Sequence, residues 1–234
     1  MISSGQIIIL VFFMLLSWIV SAQLKSRFRK YSKIAVNYGM TGKSIAEKML
    51  ADNGISDVKV LSVQGELTDN YNPANKTVNL SQDVYNGNSI SAAAVAAHET
   101  GHAIQHYSAY SMLKLRSALV PVQNISAKLM NIIFIAMFFG AFAFQKLFSW
   151  ELALTVIIAC YAVFTVFALV TLPVEINASK RALAWLETSN VTGYGNQEYA
   201  KDALKWAAYT YVVAALSSLA MLLYYLFLLL GRRD

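Results

Sequence analysis

Four apolar stretches, near positions 2–22, 129–148, 152–174 and 207–230, constrain this chain more than any other feature of it. An α-helix rises 1.5 Å per residue, so about 20 residues cross a hydrocarbon core roughly 30 Å thick while every backbone N–H and C=O is satisfied within the helix. With 57% hydrophobic and 14% charged residues in 234, the chain is too apolar for an ordinary water-soluble domain. It is also too short for more than one modest extramembrane unit. The expectation is a mainly α membrane protein, a single domain with about four transmembrane helices and a small α+β unit outside the bilayer.

Val20-Ser21-Ala22 ends the first stretch like a small-residue cleavage site, but no basic side chain precedes the apolar run, so the stretch is read as a retained anchor. Cys160, the only cysteine, lies inside an apolar span, which excludes an intramolecular disulfide. The middle two spans form a hairpin turning at 145–151, so the regions 23–128 and 173–206 share one side of the membrane. Lys25, Arg27, Arg29, Lys30, Lys33, Lys114, Arg116, Lys180, Arg181, Lys201 and Lys205 fall on that side, against Lys146, Arg232 and Arg233 on the other. The positive-inside bias makes the first side cytoplasmic. Without an aromatic or glycine-rich pattern beside it, the +6 net charge reads as contact with lipid headgroups, not nucleic acid. The spans offer almost no ionisable groups for a conduction pathway.

Chemistry enters at Ala97-His98-Glu99-Thr100-Gly101-His102. On a helix, His98 and His102 lie one turn apart on one face and can reach a single metal, while Glu99 projects beside them to take a proton from a metal-activated water. That is the chemistry of a zinc metallopeptidase. Ser89 and the alanines from Ala92 to Ala97 supply a cap and a helix-forming approach. His106 continues the four-residue steps but sits about 12 Å along the axis from His98, too far to share an ion with it. Ser108 stands where another zincin pattern would need a third histidine, so the third ligand lies elsewhere.

Around this helix the small unit is sketched by local pattern. Residues 41–54 read as a short amphipathic helix closed by Gly54, and Val58–Val63 as a strand. Residues 71–76 are turn-rich, and Thr77–Ser81 alternates like a second strand, with two readings open: a sheet edge where an extended peptide could add by main-chain hydrogen bonds, or an ordinary sheet strand. In the region 173–206 the candidate third ligands are Glu175, Glu187, Glu198 and Asp202. Pro173 is expected to start a helix with Glu175 in its first turn and Ser179 one turn later. Spacing alone leaves two readings of Glu175 open: a metal ligand with Ser179 as its hydrogen-bonding neighbour, or a carboxylate complementing a helix dipole.

The segments Tyr71-Asn72-Pro73, Val78-Asn79-Leu80-Ser81, Ala96 to Gln105 and Leu172-Pro173-Val174-Glu175-Ile176-Asn177-Ala178-Ser179 together resemble the YugP-like neutral zinc metallopeptidases of bacterial membranes. The likeness covers nearly the whole chain. It implies a multi-pass protease of the bacterial inner membrane that acts on peptide or membrane-protein substrates, with Zn2+ held by His98, His102 and Glu175 and with Glu99 catalytic. A more distant likeness reaches gluzincins of the HtpX and CAAX-protease type, in which an Asp follows the ligand Glu by four residues; here that position is Ser179. Tyr194, Arg181 and His106 are the candidate oxyanion donors. The alternative function is a non-catalytic zinc-binding membrane module or assembly protein.

The charge bias generates a topology test. In a Cys160→Ser background, Asn53→Cys should resist a membrane-impermeant thiol reagent in intact cells and react once the cells are permeabilised. Labelling of intact cells would put the motif outside.

Overall fold

The computed structural model describes residues 4–139 and 149–231. In chain order the elements are α1 (Ser4–Tyr31), a short 3-10 turn (Asn37–Gly39), α2 (Gly42–Asp52), β1 (Lys59–Val63), β2 (Asn70–Asn72), β3 (Thr77–Ser81), α3 (Gln82–Asn86), α4 (Ile90–Tyr107), α5 (Ser111–Phe139), α6 (Trp150–Thr188) and α7 (Gln197–Leu230). The chain is a mainly α membrane protein with a small α+β unit. Helices α1, α5, α6 and α7 are long and apolar enough to cross a membrane, and each outruns the apolar stretch that announced it. Val20-Ser21-Ala22 lies inside α1. The expected turn at 145–151 and the end of the span at 129–148 fall largely on residues 140–148, outside the described residues.

Two compact units divide the described residues. The first takes 4–18, 115–139, 149–172 and 211–231 and is entirely helical. Met130, Ile133, Leu154, Ile157, Cys160, Met221 and Tyr225 pack together at its centre, and Gln6 Nε2 donates to the Tyr225 hydroxyl at 2.9 Å. Many of its outward residues are apolar as well. Trp18 and Phe227 are 69% and 70% exposed, a surface that needs hydrocarbon, not water, as its solvent. The hydroxyls of Thr155, Thr165 and Thr171 donate to the carbonyls of Glu151, Tyr161 and Phe167 one turn back, which satisfies them without water.

The second unit takes Ile19–Lys114 and Pro173–Thr210. Thr41 caps α2 by accepting from the Ser44 N–H at 3.3 Å, and Gly54, at φ +69°, supplies the left-handed residue that ends it, as the pattern predicts. Ile45 and Met49 are wholly buried in the same core as Ala92, Ala93, Ala96 and Ala97 of α4. Each large side chain contributes about 1.5–3 kcal/mol by leaving water. Alanines on α4 keep that face thin enough for α2 to come close. The far end of α6 joins the core through Ala182, Trp185 and Leu186, and Trp185 Nε1 donates to Asp52 of α2 at 2.9 Å.

The sheet decides between the two readings of Thr77–Ser81. Its order is β1-β3-β2, with β3 parallel to β1 (Lys59↔Thr77) and antiparallel to β2 (Tyr71↔Val78), so Thr77–Ser81 is the central strand. A period of two reports which face of a strand is buried, not how many neighbours the strand has. The missing neighbour was Asn70–Asn72, whose Asn-Tyr-Asn-Pro run reads as a turn. The turn proper follows it: Asn72 Oδ1 accepts from the N–H groups of Ala74 and Asn75, and Lys76 takes φ +51°.

Pro173 corrects an expectation. It starts no helix, because α6 continues through it for 39 residues from Trp150 to Thr188. Proline in a helix interior costs about 3 kcal/mol, and the wholly buried Val174, Ala178 and Ala182 that follow it supply the packing that carries the helix through.

Gly42 shows how tightly α2 is seated: a Cβ there would stand 2.2 Å from the Val84 carbonyl oxygen, a backbone atom that cannot swing away. Gly42→Ala should therefore destabilise this unit by about 1–3 kcal/mol. Ala51→Ser, at an exposed position of the same helix, should stay within about 0.5 kcal/mol of the parent. Thermal unfolding in detergent, followed by circular dichroism, compares the two.

Candidate metal centre

Helix α4 forms where the alanine run and the Ser89 cap place it, Ser89 Oγ accepting from the Ala92 N–H at 3.3 Å. One turn apart on it, the His98 and His102 rings meet edge to face with centroids 4.9 Å apart. The third group arrives from α6. Glu175 Oε2 lies 3.2 Å from His98 Nε2 and 3.4 Å from His102 Nε2, and Glu175 is only 2% exposed. A tetrahedral ion with bonds of 2.0–2.1 Å separates its ligand atoms by about 3.3 Å. Among the described residues, His98, His102 and Glu175 form a group that could hold a metal ion, its ligand atoms all within 4.8 Å of one another.

The position of Glu175 separates the two readings left open by spacing. Deep inside α6 it has no free N–H groups of a helix start beside it, so no dipole accounts for it. The other candidates are engaged elsewhere or exposed. Asp202 pairs with Arg27 at 3.1 Å and accepts from the Tyr31 hydroxyl at 2.6 Å, Glu198 faces Lys201 at 3.2 Å, and Glu187 is exposed.

Close approach of the helices brings the carboxylate in. Ser179 meets His98, Ala178 meets Gly101 and Val174 meets Gln105, so α4 and α6 run antiparallel here. A Cβ on Gly101 would stand 2.7 Å from the Ala178 carbonyl oxygen. With no side chain there, Glu175 reaches both imidazoles.

Behind the Nε2 atoms, each ring is held at Nδ1. His98 Nδ1 lies 3.1 Å from Ser179 Oγ, and His102 Nδ1 lies 3.0 Å from Gln105 Oε1. Ser179, one turn after Glu175 on α6, thus supports the His98 ring. Gln105, fully buried, also donates from Nε2 to the Val174 carbonyl at 2.8 Å and to Asn177 Oδ1 at 3.0 Å. Gly101, Gln105 and Asn177 carry no sequence signal of their own.

Electrostatics follow from burial. Desolvation raises the affinity of Glu99 for its proton, the nearby His98 and His102 oppose it, and the charges of Glu175 and Asp69 add to it. Burial works against a charge on His102, yet Glu175 beside it more than compensates, so this imidazole keeps a proton longer than a free histidine. A metal taken up here must displace that proton. His106 stands apart, its Nδ1 2.7 Å from the Tyr71 hydroxyl, where it ties β2 to α4. Of the other candidate oxyanion donors, Tyr194 is 98% exposed and Arg181 Nε donates to Asn177 Oδ1 at 2.9 Å.

Comparison with known proteins agrees with the geometry. Residues 6–230 match the model of a family described as "Putative neutral zinc metallopeptidase". The chain is 40% identical over 220 residues to "Putative membrane protease YugP" of Bacillus subtilis (strain 168), an alignment covering 94% of each chain. No solved structure matches.

Gly101→Ala should push α6 away from α4 and weaken zinc binding by at least about tenfold, the scale on which displaced ligand supports act. His106→Ala should leave zinc binding unchanged. Competition against a chromophoric chelator measures both.

Proposed function

The chain belongs to this family of neutral zinc metallopeptidases, and on that premise we propose that it is a zinc-dependent membrane endopeptidase. The observation that carries the reading is the convergence of two imidazole Nε2 atoms and one buried carboxylate oxygen, with Glu99 next in sequence to the first histidine. Two nitrogens and one oxygen form a donor set suited to Zn2+, and three protein ligands leave a position open, as in catalytic zinc sites. His98, His102 and Glu175 would hold the ion. Zinc bound there supplies Lewis acidity, which makes water a better nucleophile near neutral pH and draws charge from the scissile carbonyl.

Glu99 performs the proton transfers. It takes the proton of the attacking water and delivers it to the departing amine, so that the peptide C–N bond breaks into a carboxylate and an amine with no net change in Glu99. Its burial suits it to this, since a carboxylate with raised proton affinity is a stronger base than one in bulk water.

The substrate is a peptide or a membrane protein presented as an extended segment. With β3 central, the edge available beside α4 is the outer edge of β2, which carries no strand among the described residues and is braced by the Tyr71–His106 hydrogen bond. In this reading the Lys/Arg bias places the centre on the cytoplasmic side of the membrane.

Glu99→Gln should keep its zinc and its unfolding temperature while peptide-bond cleavage falls by about 10²-fold or more, because an amide cannot accept the water's proton. Cleavage of a peptide library by parent and variant, with zinc content determined in both, is the measurement. Equal cleavage would remove Glu99 from the mechanism, and zinc without cleavage in the parent would favour a binding module.

A further inference from the structure

Gln105 is wholly buried, and its two amide ends face groups that leave it no choice of orientation. At one end is the Val174 carbonyl, which can only accept. Beside it is Asn177 Oδ1, whose role is set in turn by Arg181: a guanidinium N–H can only donate, so the Asn177 atom 2.9 Å from Arg181 Nε is its oxygen. Both neighbours therefore demand a donor, and Gln105 must point Nε2 at them. Its Oε1 is left facing His102 Nδ1 at 3.0 Å, and an amide oxygen can only accept. His102 must then carry its ring proton on Nδ1, which leaves the Nε2 lone pair directed at Glu175 Oε2 and the shared metal position.

We infer that Gln105 is a positioning residue that fixes the tautomer and the ring plane of His102 for metal binding, with its own orientation dictated by Val174, Asn177 and Arg181. This deepens the zinc-peptidase reading and rests on it. The two histidines differ in this respect. Ser179 Oγ, beside His98 Nδ1, can donate or accept, so it supports the ring without dictating where the proton sits. The amide also does what a carboxylate would not. It accepts from Nδ1–H without adding a negative charge behind the ligand, and its other end clamps the backbone of the helix that carries Glu175.

Two substitutions separate the hydrogen bond to His102 from the clamp on α6. Gln105→Met keeps the length of the side chain and loses both. Gln105→Glu keeps an acceptor for His102 Nδ1–H and loses the donors to Val174 and Asn177. Zinc affinity by chelator competition, and the visible absorption of the Co2+-substituted protein as a report on ligand geometry, are measured alongside the unfolding temperature of the metal-free protein. His98→Ala serves as reference.

Gln105→Met should bind zinc about 10–100-fold more weakly than the parent, the range for lost ligand support, with an altered Co2+ spectrum. Gln105→Glu should bind within about threefold of the parent or tighter, although both variants lose stability. Zinc affinity of Gln105→Met equal to the parent's overturns the inference. So does an equal loss in both variants, which would make Gln105 a clamp between helices and nothing more. If His98→Ala also leaves zinc affinity unchanged, the metal assignment itself fails, an outcome distinct from the other two.

Discussion

The centre depends on how closely two helices pass at Gly101. A carboxylate removed from water costs several kcal/mol unless positive charge and hydrogen bonds replace its hydration. Glu175, at 2% exposure on a helix whose preceding turns are apolar, has two imidazoles within 3.4 Å of one of its oxygens to offset that cost. That contact needs α4 and α6 nearer than side chains ordinarily permit, and the bare Cα of Gly101 against the Ala178 carbonyl provides it. The alanines preceding His98 likewise let α2 pack close, in a core shared with Ile45 and Met49. Small residues run along α4, and the histidines project from a rod that its neighbours bury over most of its length.

The groups that hold the two imidazoles at Nδ1 are a neutral amide and a hydroxyl, Gln105 and Ser179. The hydrogen bonds run outward from His102 through Gln105 and Asn177 to Arg181, which places the positive charge at the far end of the network. A site with a neutral surround leaves the Lewis acidity of a bound dication less damped than one in which carboxylates back the imidazoles.

Much of this was legible in the sequence, for identifiable reasons. The four membrane helices, α2 with its Thr41 cap, α4 with its Ser89 cap and the two histidines follow from length, period and capping chemistry, all of which are local. Glu175 was reachable only as one of four carboxylates until a family resemblance singled it out, because its partnership with His98 spans 77 residues. The readings that failed were those that depend on neighbours. Pro173 looks like a helix start in any window that ignores what packs against the residues after it, and β3 looks like an edge strand until β2 is recognised in a run of turn-forming residues. Gly101 and Gln105 matter through what lies against them on α6, and no window of α4 contains that information.

If β2 receives the substrate, as proposed, its length bears on the choice of substrate. At three residues, it can exchange only a few main-chain hydrogen bonds with an extended peptide, and each contributes only about 0.5–1.5 kcal/mol net. Such a grip is too weak to draw dilute peptides out of solution. A polypeptide already tethered in the same bilayer is presented at high effective concentration and needs no strong grip of its own. On the proposed reading, a short strand beside α4 would sort substrates by where they are anchored before it sorted them by sequence.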